Sequence, residues 1–248
     1  MAKTDGKKIV IVPAYNEEAN IEPLIDEIGG ELPGVPILII NDGSRDFTAA
    51  VARKKGVIVL DLPFNLGVGG AVQAGFLYAY EQGYDYAIRC DGDGQHAPSS
   101  IKSLLAAMDA NDVDLVVGSR FLSEKSYTST IVRQFGIAML ARFLTLICRR
   151  RVTDPTSGFH VLNRPLLYFF SCNYPVDYPE PEALALMRRH GFDFMEVPAE
   201  FRSRKAGRSS IGSWDTLYYA FKVFIALFID RARPAAVQCS KDYLKGKV

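Results

Sequence analysis

Long apolar runs are missing from this chain of 248 residues, and so are the short motifs of the common hydrolases. No stretch reaches the ~20 consecutive apolar residues that a bilayer-crossing helix requires. The longest candidate, residues 217–229, is too short and carries Lys222. Cysteine is sparse. Cys90, Cys148, Cys172 and Cys239 never approach C-x-x-C spacing, so neither a disulfide framework nor a zinc site is expected, and a reducing cytosol is the natural compartment. The histidines His96, His160 and His190 form no H-E-x-x-H pair, which argues against a zinc hydrolase. No G-x-S-x-G elbow occurs, and Ser157 in Thr156-Ser157-Gly158 reads as a turn residue. No Walker Gly-Lys-Ser/Thr is present. The formal net charge is only +1, so no overall field draws nucleic acid and no such partner is expected. Residues 1–8 are polar and charged, so no secretory leader is expected.

What is present is an alternation of short apolar runs with helical patterns. Residues 8–12 read as a buried strand, and 35–40, 57–60, 86–88 and 114–117 as further strands. Residues 20–28, 48–55, 71–82 and 99–110 between them read as helices. Such alternation predicts an α/β fold, with a mostly parallel sheet covered on both faces. Beyond Phe121 the pattern changes. Residues 123–130 are polar and Ser/Thr-rich and read as a loop, and 131–148 as a long apolar helix ending in Arg149-Arg150-Arg151. Residues 153–158 read as a turn, 182–190 as a helix, 194–201 as a strand, and 213–231 as an amphipathic helix. The organisation expected is one catalytic domain over 1–211 and a membrane-interfacial segment over 212–248.

In a doubly wound sheet, ligands bind beyond the carboxyl ends of the strands. Three strands here end in polar clusters: Pro13-Ala14-Tyr15-Asn16-Glu17, Asn41-Asp42-Gly43-Ser44, and Asp91-Gly92-Asp93-Gly94-Gln95-His96. Each alone is an ordinary turn, but three at equivalent strand ends mark a site. Asp91 and Asp93 put two hard oxygen ligands within one turn, which suits Mg²⁺ or Mn²⁺ sharing its shell with substrate phosphates. The glycine run 65–70 invites a dinucleotide reading, but it follows the third strand and Val72 stands where the last glycine belongs. A tight helix entry beside a donor pocket fits better.

Taken in order, these stretches resemble the family 2 glycosyltransferases, and within them the dolichol-phosphate mannosyltransferase-like (polyprenyl-phosphate glycosyltransferase) branch. The resemblance spans about residues 8–210. It is carried by 12–17, 41–44, Asn65-Leu66-Gly67 with Gly69, 91–96, Gly118-Ser119-Arg120, Asp154-Pro155-Thr156-Ser157-Gly158-Phe159, and Arg204 with Gly207 and Ser209. It implies a GT-A fold, Rossmann-like, and a nucleotide-sugar donor (GDP- or UDP-sugar). It also implies that Pro13, Tyr15, Glu17 and Asp42 hold the base and ribose, that Gln95 joins Asp91 and Asp93 at the metal, and that Arg120 and Arg204 face the phosphates. Three residues depart from the family's habit: Asn41 for the first Asp of Asp-Asp-Gly-Ser, His160 for an Arg, and Ser210 for a Lys.

The expected reaction moves one sugar to a polyprenyl phosphate, at the inner face of the cell membrane. Such an acceptor is already largely dianionic at neutral pH and needs no general base. Two alternatives stand beside it: transfer to a sugar hydroxyl, for which Asp154 is the candidate base, and a non-catalytic nucleotide-sugar-binding scaffold. The membrane surface is an expected partner, through the apolar faces of 131–148 and of the final helix with Leu217, Phe221, Phe224, Ile225, Phe228 and Ile229. The stretch 177–182 adds a small membrane protein as a further candidate partner.

Overall fold

The computed structural model describes residues 6–122, 131–203, and 222, 223 and 225. The expected loop at 123–130, the basic segment with Arg204, and nearly all of the final helix lie outside the described residues.

The first five strands arise where apolar runs were expected: β1 Lys8–Ala14, β2 Ile37–Asn41, β3 Ile58–Asp61, β4 Tyr86–Arg89 and β5 Leu115–Ser119. Between them lie α1 Glu18–Glu31, α2 Thr48–Lys54, α3 Gly67–Glu81 and α4 Ile101–Ala110, the last entered through a short 3₁₀ turn at Pro98–Ser100. The second half adds α5 Ile131–Cys148, β6 His160–Asn163, α6 Arg164–Asn173, α7 Pro179–Arg189 and β7 Phe194–Pro198. One sheet of seven strands results, in the order β3-β2-β1-β4-β6-β5-β7. Only β6 runs against its neighbours β4 and β5; the other pairings are parallel.

Strand alternation sends side chains to two separate cores. Ile9 and Ile11 of β1 face α3, α5, α6 and α7, whereas Val10 and Val12 face α1, α2 and α4. On the first side Phe76 is fully buried, stacked on Phe170 at 6.0 Å and edge-on to Tyr174 at 5.2 Å. Gly75 beside it is obligatory for close packing, since a Cβ there would stand 2.6 Å from Ile11. Val223 of the final segment is also fully buried in this core, while Ile225, two residues on, is 44 % exposed. At that point the segment packs on the domain.

Two elements went unforeseen, β6 and α6. Asn163 joins them: its Oδ1 accepts from the Leu166 amide at 3.2 Å, an N-cap worth about 1 kcal/mol, with Pro165 in the first turn. The strand expected over 194–201 ends at Pro198, and the chain then meets the rim through an isolated bridge between Phe201 and His96.

Candidate active site

The expected clusters do meet at one rim. Gly92 donates to Pro13 O at 3.1 Å and Asp42 to Ala14 O at 3.0 Å. The Asn16 amide donates to Ser44 Oγ at 3.0 Å, and Asn16 Oδ1 accepts from the Arg45 amide at 2.8 Å. Asn16 is held at φ 55°, a left-handed conformation that asparagine tolerates because its side chain bonds locally. A Cβ on Gly92 would stand 2.9 Å from Pro13 O, so the acidic turn lies directly on the end of β1.

Asp42 is almost fully buried, and its Oδ1 accepts from the Leu66 amide at 2.7 Å, at the entry of α3. Burial pushes its carboxyl up, against the lowering effect of the Leu66 and Gly67 amides. The carboxylate thus anchors the glycine-rich helix entry to the end of β2. Asn65 Nδ2 returns a bond to Asp42 O at 3.1 Å. Pro13 is buried inside β1, Tyr15 is 44 % exposed at the rim, and Glu17 is half-buried and accepts from Asn20 Nδ2 at 2.6 Å.

Asp91, Asp93 and Gln95 are all partly exposed along the turn after β4. Gly94, at φ 71°, allows the turn, and Asp93 Oδ1 accepts from the Gln95 amide at 3.0 Å. His96 points inward, stacked on Phe159 at 4.9 Å, and its Nδ1 accepts from the Asp91 amide at 3.0 Å. Burial holds the His96 imidazole below its ordinary value, and an accepting Nδ1 fits a neutral ring. The Gln95 carbonyl accepts from the Arg202 amide at 2.8 Å, which presses the chain after β7 against the acidic turn.

No group of three or more His, Cys, Asp or Glu among the described residues forms a closed metal cage. Two carboxylates and one amide oxygen on a partly exposed turn fit a hard cation that keeps waters and takes phosphate oxygens. They do not fit a structural zinc.

One residue missed by sequence reasoning organises this turn. Arg89, the last residue of β4, is 1 % exposed. Its Nε donates to Asp91 Oδ1 at 2.9 Å, its Nη2 to Glu180 Oε1 at 2.9 Å, and its Nη1 to the Tyr174 hydroxyl at 3.1 Å. Burial alone would push the Asp91 carboxyl up, but the Arg89 guanidinium outweighs it and holds the group below the ordinary range.

The turn before β6 meets the same rim. Asp154 is fully buried and accepts from Arg120 three times, through its amide at 3.0 Å, Nε at 2.8 Å and Nη2 at 2.7 Å. Arg120 also donates to Thr156 Oγ1 at 2.7 Å and lies over the Phe201 ring at 5.0 Å. Both carboxylate oxygens of the candidate base are therefore engaged by the guanidinium. Glu196, raised by burial, accepts from the Thr153 and Asp154 amides and so fixes this turn to β7. Beside Arg120 opens a groove of about 790 Å³. Phe121, Ile137, Ala141 and Val152 give it an apolar lining, and Arg142 and Arg151 supply cations.

A mostly parallel sheet with one reversed strand and an acidic turn at its rim is the architecture of the GT-A glycosyltransferases. Glucosyl-3-phosphoglycerate synthase from Mycobacterium tuberculosis, solved with Mn²⁺, UDP and glucosyl-3-phosphoglycerate, superposes with a TM-score of 0.69 at 20 % identity, over 92 % of this chain and 81 % of that one. The model for glycosyl transferase family 2 matches residues 9–169, and the chain belongs to that family; it is a glycosyltransferase. Among its relatives is the polyprenol monophosphomannose synthase of Mycolicibacterium smegmatis, 30 % identical over 92 % of this chain and 90 % of the relative. The undecaprenyl-phosphate mannosyltransferase of Micrococcus luteus is 34 % identical over 82 % and 86 %.

Proposed function

We propose that this enzyme transfers a sugar from a nucleotide-sugar donor to a polyprenyl phosphate, with inversion, while resting on the cytoplasmic face of a membrane. The observation that carries the reading is the groove beside Arg120, where an apolar lining meets Arg142 and Arg151. A lipid chain suits the lining and a phosphate suits the arginines. The relatives named for polyprenyl-phosphate acceptors support the same choice.

The donor half is formed by Pro13, Tyr15, Glu17 and Asp42 around the nucleoside. Asp91, Asp93 and Gln95 would hold Mg²⁺ or Mn²⁺, whose chemistry is to neutralise charge on the departing diphosphate. A phosphate oxygen of the acceptor attacks the anomeric carbon and forms the new C–O bond. The old C–O bond breaks, and the nucleoside diphosphate leaves with the electron pair. No proton has to be removed from a phosphate dianion, which agrees with an Asp154 carboxylate already engaged by Arg120. The protein's part is positioning and fixed charge.

The test is a donor and acceptor screen. GDP-mannose, UDP-glucose and UDP-N-acetylglucosamine are each offered with undecaprenyl or dolichyl phosphate and Mn²⁺. A lipid-extractable labelled product is expected. Transfer to sugar hydroxyls with no lipid product would overturn the acceptor, and nucleotide binding without any turnover would favour a scaffold.

Two further outcomes are expected. Removing the Asp42 carboxylate (Asp42→Ala) takes away the acceptor for a base or ribose hydrogen bond and should weaken nucleotide binding by about 1–3 kcal/mol, read by calorimetry. Unchanged affinity would move the nucleoside elsewhere. At the membrane, no helix among the described residues is long and apolar enough to cross. The outer side of α5 nevertheless exposes Phe135 at 64 % and Leu146 at 77 %, close to Arg149-Arg150-Arg151. Co-sedimentation with anionic liposomes at low salt is expected, and Leu146→Glu should weaken partition about 10–100-fold, since one buried leucine contributes about 1.5–3 kcal/mol. Wild-type protein left in the supernatant would contradict this surface.

A further inference from the structure

The buried cation at Arg89 calls for an explanation. Replacing a buried ion pair by apolar side chains of similar size is often neutral or stabilising, so stability alone does not account for it. Its arrangement is a three-way fork. Each guanidinium nitrogen takes a different acceptor, on three separate parts of the chain: Asp91 on the acidic turn, Tyr174 after α6 and Glu180 on α7. A lysine, with one point of charge, cannot span three such acceptors.

The surroundings leave this fork little room. Arg89 is paired in register with His160 across β4 and β6, and both side chains are buried. Gly158 walls the pair with bare backbone, since a Cβ there would stand 2.7 Å from Arg89 Nη2 and 2.8 Å from Asp91 Oδ2. The Asp91 main chain is pinned as well, through its amide to His96 Nδ1 at 3.0 Å. Asp91 therefore has one oxygen, Oδ1, committed to Arg89. Oδ2, which lies 3.8 Å from His96 Nε2 on a side chain 28 % exposed, is the oxygen that the guanidinium does not take up.

We infer that Arg89 is a positioning residue: it fixes the Asp91 carboxylate so that Oδ2 alone is presented to the divalent cation, and it ties that orientation to α7 through Glu180. The inference rests on the reading of Asp91 as a metal ligand. It assigns Glu180 the task of aiming Arg89, and Gly158 the task of leaving space for the pair. Hydrogen-bonding partners that orient a metal-ligating carboxylate typically change metal affinity about 10–100-fold when removed.

The experiment measures Mn²⁺ binding by the loss of the free-ion paramagnetic signal, in the presence of UDP or GDP, whichever the wild-type protein binds more tightly. Nucleotide affinity in excess EDTA is measured in parallel. Arg89→Met is expected to weaken Mn²⁺ binding about 10–100-fold while leaving metal-independent nucleotide affinity unchanged. Arg89→Lys should fall between the two. Gly158→Ala keeps every charge but crowds the pair, and should weaken Mn²⁺ binding in the same direction. A purely structural role would lower thermal stability without separating these two affinities. If Arg89→Met does not fold, Gly158→Ala and Glu180→Gln carry the test. Folded variants with wild-type Mn²⁺ affinity would overturn the inference. Asp91→Asn is the control. If it binds Mn²⁺ as the wild type does, the metal reading itself has failed; if it loses Mn²⁺ while the Arg89 and Gly158 variants keep it, only the positioning role has failed.

Discussion

Asp93→Asn is expected to cost about 10²–10³-fold in turnover with little change in the fold, because on the proposed reading Asp93 helps hold the cation whose charge offsets the departing diphosphate, a contribution of several kcal/mol. The substitution is nearly isosteric. The bond that Asp93 Oδ1 accepts from the Gln95 amide survives with an asparagine oxygen, so the turn is kept. The measurement is steady-state turnover at saturating Mn²⁺, with circular dichroism to verify folding and nucleotide affinity in EDTA as the reference. Excess chelator should silence the wild-type enzyme to a similar degree. Full activity under chelation would remove the metal from the account.

Asp154→Ala carries the largest expected effect on stability, about 3–5 kcal/mol in urea denaturation. Asp154 is fully buried and takes three hydrogen bonds from Arg120, itself only 9 % exposed. Truncation leaves a guanidinium in an apolar surround of Phe121 and Phe201, with Thr156 as a neutral partner. A loss below about 1 kcal/mol would mean that Arg120 swings to water, the ordinary fate of an exposed pair. Asp154→Asn separates this role from general-base catalysis. A base role predicts loss of turnover out of proportion to the loss of stability, and only with hydroxyl acceptors.

The parallel half of the sheet could be read directly, because each of β1 to β5 is an apolar run bounded by turn residues and each intervening helix keeps its period. The rim clusters were legible for a related reason: in a parallel sheet every strand end of this half points the same way. β6 was not legible. It has four residues and passes straight into α6, so its apolar residues merge with those of the helix. Arg89 was hidden for another reason. A charge at the end of an apolar strand reads as a solvent-facing terminus, and the partners that bury it lie 85 and 91 residues further along the chain. The one local signal was a cation two residues before Asp91, and spacing alone does not distinguish an ion pair from two exposed charges. Asp154 was named from its motif, but its partner Arg120 is 34 residues away, so its engagement could not be seen.

The reversal of β6 has a consequence for how such an enzyme can diversify. At a parallel rim every strand contributes the residues that follow it. Because β6 runs the other way, the rim also receives residues that precede a strand, here the Asp154–Phe159 turn. On the proposed reading, chain leaving the sheet from β1, β2 and β4 builds the nucleoside and metal side, whereas the groove is lined by the end of β5, by α5 and by chain arriving at β6. The two sides belong to different stretches of sequence and meet along the boundary of β4 and β6, where Arg89 faces His160 and His96 stacks on Phe159. Substitutions that reshape the groove can therefore accumulate in α5 and the arriving stretch while the ends of β1, β2 and β4 stay as they are, and the seam is where the two must remain compatible.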